Sequence, residues 1–175
     1  MARQYFLNHP IIEYRGLKLR NLLLSARAVK GVLSKTTLIY PYTLSDGDTP
    51  QMIAYDYYGS VDYVWLVLLS NEMVDMYSDW YKSDDQLNEY IKKKYGSLDA
   101  AFATIHHYTN RSDLSATEVS VTTYQHATPL EQGQLDPVYA YDFEVAQNES
   151  KRTINLIDKA AAAKISLELE RLLKA

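Results

Sequence analysis

A chain of 175 residues, 47% hydrophobic and carrying 18 basic against 22 acidic side chains, is sized for one domain or one small domain with additions, and can bury its own core. A net charge of −4 is too small and of the wrong sign for phosphate-driven nucleic-acid binding, and zero cysteines exclude disulfides, thiolate metal sites and cysteine nucleophiles. The longest apolar run, Val64 to Leu69, falls far short of the ~20 residues of a membrane span, and MARQYFLNHPIIEYRG lacks a secretory pattern, so the expectation is a soluble protein made in a cytoplasm.

Ile11 to Tyr14 reads as a short strand, and Leu17 to Val29 as extended or partly helical, since neither period lasts. Such an arm often needs a neighbour to become ordered. TLIYPYTL is β-branched and aromatic with Pro41 inside, which fits an edge strand. In DGDTPQMIAYDYYG, Thr49 is an N-cap, Pro50 takes the first helical position and Gly59 ends the helix in a left-handed conformation, with Ile53, Ala54 and Tyr57 on one face.

Ser60 caps a second helix, SVDYVWLVLLSNEM. Its Val61, Val64, Trp65, Leu68 and Leu69 follow the helical stripe, while Leu66 and Val67 lie off it. A helix apolar nearly all round needs cover on more than one side, from this chain or from another subunit. In SDDQLNEYIKKKYG, Ser83 and Gln86 form a capping box, Leu87, Tyr90 and Ile91 a stripe, and Gly96 a stop; Ser97 caps a shorter helix from Leu98 to Ile105.

From His106 the pattern turns towards period two. IHHYTN and EVSVTTYQH read as one hairpin, TPLEQGQLDP as a linker, and VYAYDFEVAQ with KRTINLI as a second hairpin around Asn148 and Glu149, with Tyr139, Tyr141 and Phe143 on one face. DKAAAAKISLELERLLK closes the chain as a helix with a narrow stripe of Ile165, Leu169 and Leu172.

Little of this points to catalysis. On a regular strand His106 and His107 face opposite ways and do not share an ion. The acidic phrase around Gly47 lacks the later ligands of a calcium loop, and Asp75 with Asp79 is no more than any acidic loop offers for acid/base work. No catalytic, cofactor or metal site is expected. Sixteen tyrosines against three phenylalanines favour half-buried contact surfaces or core rims.

LIYPYTLSDGDTPQMIAYDYYGSVDYVWLVLLSNEMVDMYSDW resembles the signature of the baseplate wedge protein 53 family of contractile-tailed bacteriophages. The matching positions are Tyr40 to Tyr42, Gly47 to Pro50, Ala54 with Tyr58 and Gly59, Trp65 with Asn71, and Asp75, Tyr77, Asp79 and Trp80; Ile12 to Tyr14, IKKKYG and Asn148 to Arg152 extend them. The same pattern is similar to a LysM module, a β-α-α-β unit known for binding peptidoglycan or chitin.

The resemblance implies an α+β fold: a small LysM-like β-α-α-β core with an extended N-terminal arm, further helices, β-hairpins and a C-terminal helix. The segments expected are 1–37 for the arm, 38–105 for the core and following helices, 106–157 for the hairpins and 158–175 for the last helix. It also implies a non-enzymatic, six-fold virion component, made in the host cytoplasm, that joins neighbouring wedges around the hub. Its partners would be other wedge subunits, with the hub or sheath-initiator protein as a further contact, and neither nucleic acid nor membrane. Ile12, Tyr14, Tyr57, Trp65, Leu66, Val67, Asn71, Tyr77 and Trp80 are the expected core-or-contact residues. The alternative is a glycan-binding LysM module.

Overall fold

The computed structural model describes residues 9–21, 39–112 and 118–174. The fold is α+β, divided into two compact units: Met1–Trp80 with Thr153–Ala175, and Tyr81–Arg152. The divisions fall after residues 80 and 152.

The first unit begins with a hairpin of β1 (Ile11–Tyr14) and β2 (Leu17–Arg20), paired antiparallel across a two-residue turn. Arg15 and Gly16 both take positive φ, 51° and 77°, the turn whose twist matches that of the flanking strands. Residues 22–29, also expected to be extended or helical, lie outside the described residues.

β3 (Ile39–Thr43) leads to α1 (Pro50–Tyr58), a 3-10 turn (Val61–Tyr63), α2 (Val64–Ser70) and the short α3 (Met76–Asp79). Thr49 Oγ1 accepts from the Met52 N–H, Pro50 sits in the first turn, and Gly59 closes α1 at φ 81°. β3 pairs antiparallel with β6 (Thr153–Ile157), and α9 (Lys159–Lys174) follows. With the short α3 and the second unit lying between α2 and β6, the order β3-α1-α2-β6 is a β-α-α-β arrangement.

The expected stripe on the second helix is corrected. Leu66, Val67 and Ser70 are the buried residues of α2, Trp65 and its stripe neighbours Val64, Leu68 and Leu69 are half-buried, and Val61 is exposed. Two causes act together. The 3-10 turn takes Val61 out of the α-helical register, and Ser70 with Asn71 anchors the opposite face to β6. Leu66, Ile157 and Ala162 form one buried cluster against which Tyr58, Tyr63, Trp65 and Ile165 pack. Ile165 and Leu169 of the expected C-terminal stripe are half-buried and buried.

The second unit is built from α4 (Asp84–Tyr95), α5 (Leu98–Ala103), β4 (Ile105–Asn110), α6 (Val121–His126), α7 (Pro129–Gln132), β5 (Leu135–Tyr139) and α8 (Ala140–Ser150). The Ser83–Gln86 capping box forms, and Leu87, Ile91 and Ala101 make the buried cluster, with Tyr95, Leu98 and Tyr141 packed against it.

Both hairpins expected in this part of the chain are corrected. VTTYQH is α6, capped by Ser120 Oγ accepting from the Thr123 N–H; of EVSVTTYQH only Val119 bridges to Tyr108. The presumed linker holds α7, whose capping box is Thr128 with Glu131, and the start of β5, the true partner of β4. AYDFEVAQNES is α8, so Tyr139, Tyr141 and Phe143 share no strand face, and TINLI pairs with β3 instead.

Candidate partner-binding surface

The residues that carry the motif pattern divide by what they touch. Asn155 of β6 turns its backbone groups away from β3: its N–H donates to Asn71 Oδ1 (2.7 Å) and its carbonyl accepts from Asn71 Nδ2 (3.0 Å) and Ser70 Oγ (2.7 Å). The Asn71 carboxamide therefore stands in for a neighbouring strand. Two residues on, the Tyr58 hydroxyl donates to the Ile157 carbonyl (2.9 Å) and accepts from the Ile157 N–H (3.0 Å). Burial pushes the Tyr58 hydroxyl well above the usual tyrosine range. Pro41 pairs with Asn155, so the N–H that proline lacks would have faced the other edge of β3, which pairs with no strand among the described residues. One edge of the sheet is closed by side chains and the other carries a proline.

The turn after α2 is tied down in the same way. Asp79 Oδ2 accepts from the N–H groups of Val74 and Asp75 (both 2.9 Å), Asp75 Oδ1 accepts from the Tyr77 N–H (3.0 Å), and the Trp80 indole donates to the Asp48 carbonyl (2.8 Å). Inside this frame Val74 is 97% exposed and Tyr77 is 83% exposed. Asp75 and Asp79, weighed above as an acid/base pair, are thus occupied in holding a loop.

The expected residues fall into three groups. Leu66 and Val67 are sealed in the core, Trp80 is buried, and Asn71 is the clamp on β6. Trp65 and Tyr57 are half-buried: Trp65 packs on the Leu66 cluster, and the Tyr57 ring lies under Lys159 Nζ (4.9 Å), its hydroxyl pushed up by burial and then by Asp158 and Tyr40. Ile12, Tyr14 and Tyr77 are exposed.

The register of the β1–β2 ribbon joins Ile12 and Tyr14 to two further apolar residues. Ile12 faces Leu19 and Tyr14 faces Leu17, which puts all four side chains on one face; Ile11, Glu13, Lys18 and Arg20 take the other. Strict alternation in LKLR was the available signal. Every residue of both strands is exposed.

In the second unit the histidines overturn their expected geometry. A register irregularity between Ile105 and His107 brings His106 Nδ1 to 2.9 Å from His107 Nδ1, with the His106 ring stacked on Phe143 at 3.7 Å. Among the described residues no group of three or more His, Asp or Glu side chains is placed to hold a metal. Glu144, buried on α8, accepts from Lys94 Nζ (2.6 Å) and the Tyr95 hydroxyl (2.9 Å), and this bond holds the Lys94 ammonium far above its ordinary range. An open cleft of about 620 Å³ is lined by Asn110, Thr122, His126, Glu131 and Gln134 among others. Its titratable groups serve local structure: His126 Nδ1 meets the Thr122 carbonyl, and Glu131 caps Thr128, which lowers its pKa. Among the described residues no helix is long and apolar enough to cross a membrane.

A family model described as base plate wedge protein 53 matches residues 8–119, which include the ribbon, the clamped turn and most of the first unit. No curated protein matches the chain.

Proposed function

The chain belongs to the base plate wedge protein 53 family, structural components of the phage tail baseplate that associate with other baseplate components, and from that premise we propose that it joins neighbouring wedges so that the six-fold baseplate closes. The carrying observation is the division of the motif residues. Pro41, Thr49, Tyr58, Asn71, Asp75, Asp79 and Trp80 serve internal structure, which leaves Tyr40 and Tyr42 exposed on β3 and Tyr77, with Val74 beside it, displayed on a loop whose backbone is already fixed. A fixed loop loses little conformational entropy on binding, so its apolar contacts translate efficiently into affinity. The ribbon supplies a second, separate contact, and two different patches are what a joint between two neighbours requires. The role involves no catalytic step and no cofactor, and the protein is made in the host cytoplasm before it enters the virion tail.

The test is an assembly reaction. Purified wedges lacking this chain should remain as separate wedges, and adding the chain should produce closed six-fold baseplates in negative-stain images. Equal closure without it would overturn the proposal. The β3-α1-α2-β6 arrangement supports one other reading, a glycan-binding module. Retention on purified peptidoglycan, with no binding to any baseplate chain, would favour that reading instead.

A further inference from the structure

The ribbon and the clamped loop carry opposite charge as well as exposed apolar side chains. Residues 11–20 hold three basic residues and one acidic, Glu13, which lies opposite Lys18; residues 72–79 hold three acidic residues and no Lys, Arg or His. The ribbon's apolar face, Ile12, Tyr14, Leu17 and Leu19, is edged by Arg15, whose guanidinium lies 5.3 Å from the Tyr14 ring centre, and its reverse face carries Lys18. Val74 and Tyr77 project beside Glu72, itself exposed at φ 54°.

We propose that one copy of the chain binds a second copy head to tail, the apolar, basic β1–β2 ribbon of one seating on the apolar, acidic Val74–Tyr77 loop of the other. The proposal rests on the adaptor reading above and names a partner for it. Three arguments converge on a second copy. A two-stranded ribbon is marginally stable by itself, and its apolar face gains most from cover. Ribbon against ribbon, or loop against loop, would juxtapose like charges, whereas ribbon against loop matches apolar surface and sign together. Because the two patches differ, each copy keeps one of each kind free after pairing, and the contact repeats to a ring where its rotation closes and to a filament where it does not.

Sedimentation velocity of the purified full chain at rising concentration tests this. The wild-type chain is expected to associate beyond a dimer, and raising salt from about 50 to 500 mM is expected to weaken association roughly tenfold or more. Tyr77→Lys and Leu17→Glu each alter an exposed side chain, and each variant alone is expected to stay monomeric with an unchanged melting curve. Mixed in equal amounts they retain one intact ribbon and one intact loop between them, so a 1:1 heterodimer and nothing larger is expected. Should either variant fail the melting check, Tyr77→Ala or Leu17→Ser takes its place.

A wild-type chain monomeric at every concentration overturns the proposal, as docking of the ribbon on its own loop would produce. Undiminished association of either variant alone also overturns it, because the contact would then be ribbon to ribbon or loop to loop, and so does a mixture that does not pair. The adaptor reading fails separately: a chain that stays monomeric yet is required for baseplate closure removes the self-contact and leaves that reading standing.

Discussion

The two units use one device with different chemistry around it. In the first, the Asn71 carboxamide holds the backbone of Asn155; in the second, Asn148 Oδ1 accepts from the Lys82 N–H (2.9 Å) while Asn148 Nδ2 donates to the Lys82 carbonyl (2.8 Å). Each asparagine satisfies both backbone polar groups of one residue in a passing segment. Around the first clamp the helpers are neutral, Ser70 and Tyr58, whereas the second unit's interior bonds include the charged Lys94–Glu144 pair. The larger difference is in sequence separation. Tyr58 and Ile157 are 99 residues apart, whereas the second unit is continuous from Tyr81 to Arg152. Its contacts close shorter loops, so it can form before the first unit is complete.

Ending the chain after Arg152 deletes β6 and α9 and carries the largest expected effect. Both tryptophans, Trp65 and Trp80, belong to the first unit, so their fluorescence reports that unit alone. The truncated chain should show the fluorescence of unfolded tryptophan while retaining a cooperative helical melt from α4, α5 and α8. Loss of both signals together would show that the second unit does not stand by itself.

A smaller effect sharpens the comparison of the clamps. Asn148 is buried and Asn71 is half-buried, so water replaces the lost bonds more readily at Asn71. Asn148→Ala should destabilise the second unit by about 1–3 kcal/mol, and Asn71→Ala the first by about 0.5–1.5 kcal/mol. Denaturant titrations followed by circular dichroism and by tryptophan fluorescence separate the two, and the reverse order of effects would contradict the burial argument.

The smallest effect is alkaline. Tyr58 in the first unit and Tyr95 in the second are pushed up chiefly by burial, and Lys94 chiefly by its bond to Glu144. All three protonated forms are favoured by the fold, so their contribution is intact below about pH 10, the ordinary tyrosine and lysine range, and is lost as pH climbs above it. Tyr58→Phe should flatten the alkaline loss seen by tryptophan fluorescence and leave the loss in the second unit unchanged. An alkaline slope identical to that of the parent chain would contradict the assignment to Tyr58.

What was legible in the sequence was local chemistry. The caps Thr49, Ser83 and Ser97 and the stop at Gly59 depend on residues within four positions, and each sits where the sequence places it. What was hidden depended on distant partners. α8 buries Ala140, Glu144 and Asn148 at a spacing of four, and two of these are polar, so its inner face is invisible to a hydrophobic pattern while YAYDF alternates like a strand. The buried face of α2 was missed for the same reason, since Ser70 and Asn71 choose it through a strand 84 and 85 residues away. Tyr77, Ile12 and Tyr14 follow from the family resemblance, but the pairing of Leu17–Arg20 with Ile11–Tyr14, which opposes Leu17 and Leu19 to Tyr14 and Ile12, needs the register.

On the adaptor proposal, the ribbon and the Val74–Tyr77 loop are surfaces kept for other protein chains. Amide hydrogen exchange on the free chain and on the assembled baseplate tests it most directly. Fast exchange is expected over residues 11–20 and at the exposed amides of 72–78 in the dilute, monomeric chain, and strong slowing of both stretches in the baseplate. Unchanged exchange in both stretches, with protection gained elsewhere, would contradict it.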